Sequence, residues 1–95
     1  MTRKSSTVKV YSVVENTPGY LPDSEPYWTR NKHDAESVAA SLARELREDG
    51  YTVTGSAREG DYYAERDSHD LGRHVSVNTL DVSREEWDEY QRLSA

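Results

Sequence analysis

The chain contains no cysteine, no phenylalanine and a single methionine among its 95 residues. The first absence excludes disulfides, thiolate metal sites and a cysteine nucleophile together, and it is compatible with a cytoplasmic location. The other two leave Trp28, Trp87, some of the seven tyrosines, and Val and Leu to supply the large pieces of any core. Buried tyrosines need partners for their hydroxyls. Long apolar runs are missing too: nothing approaches the ~20 consecutive apolar residues of a membrane span. Residues 1–7 carry the positive charge that opens a signal peptide, but the apolar stretch after them is interrupted by Lys9 and Ser12, so no secretion signal is expected. The five glycines are scattered at 19, 50, 55, 60 and 72. They form no phosphate cradle, and no nucleotide or other cofactor is implied.

What is present fits one small domain. The hydrophobic fraction of 34% and mean hydropathy of -1.00 approach the composition of disordered chains, yet the apolar residues fall in periodic runs, which implies a folded domain with a small core. Residues 1–6 read as a flexible N-terminal tail and 7–95 as the domain. Charge is uneven: residues 1–33 carry five basic and three acidic side chains, residues 34–95 seven basic and fifteen acidic. Nucleic-acid affinity rests on cations that neutralise phosphates, so an acidic body argues against direct DNA or RNA binding. Arg3-Lys4 is the one basic exception in the tail.

Thr7 to Val14 is β-branched and aromatic and reads as a strand, with Val8, Val10 and Val14 on one side. Residues 15–33 contain all three prolines and four bulky residues, Tyr20, Leu21, Tyr27 and Trp28, and read as one loop much longer than the usual ~4–6 residues. Asp34 is the expected cap of a helix whose apolar residues Ala35, Val38, Ala39, Leu42, Ala43 and Leu46 share a face, and Gly50 is its stop. That face calls for a sheet to pack on. Tyr51–Ala57 and Tyr62–Arg66 read as a hairpin around Arg58-Glu59-Gly60-Asp61. Asp67 to Gly72 is turn-rich. Arg73–Leu80 then alternates, with Val75, Val77 and Thr79 on one face and His74, Ser76 and Asn78 on the other.

Ser83 and Glu86 form a capping box for a final helix, with Val82 placed to staple onto Trp87. Trp87 and Tyr90 are expected to face the domain, and Glu85, Asp88 and Glu89 the solvent. This helix either covers the end of the sheet or completes a homodimer. The order β-α-β-β-β-α predicts an α+β fold: a mostly antiparallel four-stranded sheet, one long helix on one face and a short C-terminal helix. If the second strand lay parallel beside the first, their crossover would be right-handed.

Chemistry-bearing constellations are few. His69, Asp70 and His74, with the His33-Asp34 pair, have metal-ligand character, but His-Asp-x3-His is not a recurrent ligand spacing, so exposed histidines around a turn are expected and no metal is. The carboxylate pairs Glu85-Glu86 and Asp88-Glu89 lie on a solvated helix that offers no difference in environment to separate an acid from a base. No catalytic residue is expected. The segment of most interest is Asn16–Thr29, because aromatic residues dominate binding hot spots and prolines lower the entropy lost on docking. Its candidate partner-binding residues are Tyr20, Leu21, Asp23, Glu25, Tyr27 and Trp28. The alternative is that these aromatics fold back as a lid over the sheet face that the long helix leaves bare.

In Tyr11-Ser-Val-Val-Glu-Asn-Thr-Pro-Gly-Tyr-Leu-Pro, in the helix end Glu-Leu-Arg-Glu-Asp-Gly-Tyr and in His69-Asp-Leu-Gly-Arg73, the chain resembles small proteins of unassigned function encoded by actinobacterial phages and their hosts. The resemblance spans residues 8–80. It transfers no catalytic or binding residue and implies an accessory, host-directed or regulatory role. The expectation is a non-catalytic module that binds a protein partner through the 16–29 loop, such as a phage-encoded inhibitor or modulator of a host protein. Competing expectations are an acidic DNA mimic that uses Glu45, Glu48, Asp49, Glu85, Glu86, Asp88 and Glu89, a structural subunit of a virion, and a small hydrolase or metal enzyme around His69, Asp70 and His74.

Overall fold

The computed structural model describes residues 7–17, 26–56, 58–67, 69 and 71–94. Along them run β1 (Thr7–Asn16), β2 (Tyr27–Thr29), α1 (Lys32–Glu48), β3 (Thr52–Ser56), β4 (Asp61–Glu65), β5 (Arg73–Ser83) and α2 (Arg84–Ser94). The strands form one sheet of order β2-β1-β5-β4-β3, with every pairing antiparallel. The fold is α+β, as the sequence predicts, with five strands instead of four. The added strand is β2, which lies inside the expected loop 15–33 and pairs Tyr11, Ser12 and Val13 with Thr29, Trp28 and Tyr27. The strand after the long helix does not return beside β1. It closes the far edge of the sheet, and β5 takes the place next to β1.

The β1–β5 ribbon is the backbone of the architecture, paired without a break from Thr7↔Ser83 to Asn16↔His74. Because side chains alternate across a strand, each half of this ribbon supports a different face. Val13 and Val75 face α1, where they pack with Ala35, Ala39, Ala43, Leu46, Tyr62 and Ala64. Val8, Val10 and Val82 face the other way and pack with Trp87, flanked by Trp28 and Tyr90. Two small cores therefore sit on opposite faces and towards opposite ends of one ribbon.

Helix α1 begins earlier than its apolar face suggests. Its cap is Asn31, whose Oδ1 accepts from the Asp34 backbone N–H at 3.1 Å, and Asp34 sits in the first turn, where a carboxylate suits the positive end of the helix. The Asp34 carboxylate instead accepts from the Tyr27 hydroxyl at 2.7 Å. The helix ends as expected at Gly50, φ +94°, with Tyr51 N–H donating to Leu46 O and Gly50 N–H to Arg47 O, the paired bonds of a Schellman stop. Helix α2 follows β5 directly. Ser83 Oγ accepts from Glu86 N–H at 3.0 Å and Glu86 Oε1 accepts from Ser83 N–H at 3.2 Å, the reciprocal box read from the sequence. Neither helix is long and apolar enough to cross a membrane.

Gly55 and Gly72 are each required by a close approach, Gly55 to the Asp61 carbonyl. Gly72, φ +81°, precedes β5 with its Cα turned to Ala64, and a Cβ there would lie 2.6 Å from the Ala64 carbonyl oxygen. Only glycine combines that backbone conformation with that space.

Candidate interaction surface

Tyr27 and Trp28 sit in adjacent positions of an edge strand, so alternation sends their side chains to opposite faces of the sheet. Tyr27, 39% exposed, lies on the α1 side and is held by Asp34. That hydrogen bond, then burial and the nearby Asp34 charge, push its pKa up to about 12, because each disfavours the phenolate. Trp28 lies on the α2 side. Its ring is 5.2 Å from that of Tyr90 at a 31° tilt, and Tyr90 is stacked 5.8 Å from Trp87.

A backbone bond locks this aromatic row. The Trp28 N–H donates to the Tyr90 hydroxyl at 2.9 Å, across 62 residues of sequence. In an antiparallel pair, alternate residues direct their N–H and C=O away from the partner strand, and the Trp28 N–H does so here. Tyr90 thus both packs on Trp28 and satisfies an outward-pointing donor of the sheet edge, which would otherwise be open to another chain. The Trp28 indole Nε1 is buried with no hydrogen-bond partner among the described residues.

Two open clefts meet at the Trp28–Tyr90 pair. The larger, about 900 Å³, runs between β2 and α2 and has a mixed lining, with Arg30, Asn31, Arg84, Asp88 and Gln91 beside the aromatic rings. The smaller, about 330 Å³, is formed by Pro26, Trp28, Glu86, Glu89, Tyr90 and Leu93. Leu93 is 74% exposed, the most open of the large apolar side chains described. A third cavity of about 330 Å³ lies on the α1 side, where Lys9, Lys32 and Arg58 surround Tyr11 and Thr79 together with Glu36 and Glu59.

Of the residues marked in the sequence, Tyr20, Leu21, Asp23 and Glu25 lie outside the described residues, and so does Asp70. Tyr27 and Trp28 are placed on a strand and not in a loop, and Trp28 is packed against the α2-side core. Tyr90 and Leu93 complete the surface. The sequence marked Tyr90 only as a core-facing residue and did not mark Leu93, although their i,i+3 spacing on an amphipathic helix places them on one side.

The histidine constellation is rearranged. His74 Nε2 lies 2.8 Å from Asp61 Oδ1, and its ring stacks on Tyr63 at 4.7 Å and 10°. The pairing follows from register, since Tyr63 is opposite His74 and Asp61 opposite Ser76 on one face of β4–β5. The Ser76 hydroxyl accepts from Asn78 Nδ2 at 3.3 Å, while the His69 backbone N–H donates to Asp67 Oδ1 at 2.8 Å. Among the described residues, no three His, Asp or Glu side chains group as metal ligands would. The acidic residues are divided as well: Glu45, Glu48 and Asp49 belong to α1 or its end, and Glu85, Glu86, Asp88 and Glu89 to α2 on the opposite face of the sheet. No protein-family model, curated protein or solved structure matches the chain.

Proposed function

We propose that this chain is a non-catalytic module that binds a protein partner through the β2–α2 surface. The observation that carries this reading is the aromatic row Trp28–Tyr90–Trp87, fixed by the Trp28 N–H to Tyr90 bond and opening between two clefts beside the exposed Leu93. Aromatic side chains concentrate binding energy at interfaces. A surface whose aromatics are already ordered loses little conformational entropy on docking. The finer reading, a phage-encoded inhibitor or modulator acting on a host protein in the cytoplasm, is supported by the resemblance in residues 8–80 and by the lack of cysteine. The virion-subunit and enzyme readings draw less support: the first has no observation of its own, and the second has one half-buried His74–Asp61 pair without an associated cleft among those described.

The test is quantitative capture of partners by the tagged protein, comparing wild type with Leu93→Asp and with Leu71→Asp. Leu71 is 63% exposed and lines none of the described clefts. A partner lost with Leu93→Asp and retained with Leu71→Asp supports the β2–α2 surface. A partner retained by both variants removes that surface from the function.

A further inference from the structure

We infer that the partner docks with an apolar side chain flanked by lysine or arginine, seated in the small cleft between β2 and the end of α2. This rests on the proposed reading of the β2–α2 surface as the docking site and specifies what it recognises.

The cleft has an apolar floor and walls, Pro26, Trp28, Tyr90 and Leu93, and its charged lining residues are Glu86 and Glu89. At about 330 Å³ it lies at the lower end of the ~300–1,000 Å³ range of ligand pockets. That size suits one or two side chains of a partner. The helix repeat brings the α2 contributions together, since residues 86, 89, 90 and 93 follow the i, i+3, i+4, i+7 spacing of one face. The carboxylates are therefore a fixed feature of the cleft wall.

The two carboxylates differ in what they do. Glu86 Oε1 accepts from the Ser83 N–H in the capping box, which uses part of its hydrogen-bonding capacity and leaves its charge. The Glu89 carboxylate makes no hydrogen bond or ion pair among the described residues. Of the two cations of α2, Arg84 is directed to Asp88 at 4.0 Å and lines the larger cleft, while Arg92, three residues beyond Glu89, makes no ion pair among the described residues and does not line the small cleft. An occupant that covers Trp28, Tyr90 and Leu93 also strips water from Glu89, and a charge that loses water without gaining a partner opposes binding. A purely apolar occupant leaves that cost standing, and an acidic one adds repulsion. An occupant with a cation next to its apolar anchor turns the same carboxylates into an attraction, which also favours encounter with a chain of net charge -6.

Selection of a random linear peptide display library on the immobilised full-length chain tests this, with enriched peptides synthesised and titrated by fluorescence anisotropy. Three variants accompany wild type: Leu93→Asp, Glu89→Lys, and Glu48→Lys. The last makes the same change of charge on α1, across the sheet. The expected result is enrichment of an apolar residue with Lys or Arg within two positions, with binding abolished by Leu93→Asp, weakened about tenfold or more by Glu89→Lys and little changed by Glu48→Lys. Peptides that need Leu93 but lack basic enrichment, or ignore Glu89→Lys, overturn the inference and leave the proposed surface standing. Equal weakening by Glu89→Lys and Glu48→Lys overturns it in favour of general charge attraction. Selection that yields no peptide dependent on Leu93 overturns both.

Discussion

The α1 side and the α2 side of the sheet hold their helices by different means. On the α1 side, Ala35, Ala39 and Ala43 are at most 1% exposed, and these small residues let a 17-residue helix approach the sheet closely enough to fill its core with Val13, Val75, Tyr62 and Ala64. The contact is spread along the helix from Ala35 to Leu46. On the α2 side, an 11-residue helix has one buried residue, Trp87, and the rest of its grip comes from Tyr90 on Trp28. The first arrangement distributes stability among many small groups. The second concentrates it in three aromatic rings and leaves the flanks of those rings open. The two clefts of the α2 side flank these large side chains, and the candidate surface lies there.

The most damaging way to break the comparison is Trp87→Ala, which removes the one buried side chain of α2. It should cost about 3–5 kcal/mol in urea unfolding, with loss of the near-ultraviolet signal of the Trp28–Tyr90 contact, because the helix carrying Tyr90 undocks. The matching probe of the α1 side adds volume instead of removing it. Ala39→Leu, at a site with no exposure, should cost about 1–3 kcal/mol by overpacking. It should leave the Trp28 environment as in wild type, as read by tryptophan fluorescence. If either substitution disturbed both helices equally, the two cores would be one cooperative unit in energy as well as in chain.

A smaller effect sharpens the role of the edge bond. Tyr90→Phe keeps the ring and removes the acceptor of the Trp28 N–H. The expected loss is about 0.5–1.5 kcal/mol, with faster hydrogen exchange at the Trp28 amide and little change at amides of α1. The smallest effect concerns alkaline pH. Tyr27 is raised from 10.0 to about 12 chiefly by its bond to Asp34. The fold therefore favours the neutral phenol, and the resulting stability is complete below about pH 10 and lost as pH climbs through about 12. Tyrosinate absorbance should show one late-titrating component that is missing in Tyr27→Phe and shifts towards the ordinary range in Asp34→Asn.

Much of this architecture was legible where the signal lies within a few residues. The Val82-Ser83-Glu86-Trp87 run encodes its cap and staple within one turn, and both form. The alanine and leucine spacing of α1 and the stop at Gly50 are equally local. The helix start was misplaced by three residues because Asp34 and Asn31 are both good caps, and what separates them is the Tyr27 hydroxyl, which engages the Asp34 carboxylate from a neighbouring strand. Strand β2 was hidden for a related reason. Three residues in a proline-rich segment carry no period, and they become a strand only because Tyr11–Val13 offer a free edge. The candidate surface was half legible: Trp28 stood out by composition, but its partner Tyr90 is 62 residues away.

The sequence by itself determined the class of fold, both helices with their apolar faces, the alternation of the long strands and the acidic, cysteine-free character of the surface. Each of these depends on propensities and periods that act within one element. Tertiary structure alone decided the strand order, the presence of β2, the pairing of His74 with Asp61 and the meeting of Trp28 with Tyr90. Such contacts join groups whose separation along the chain carries no information about their distance in space, and they are selected by the combined burial and hydrogen bonding of the whole sheet.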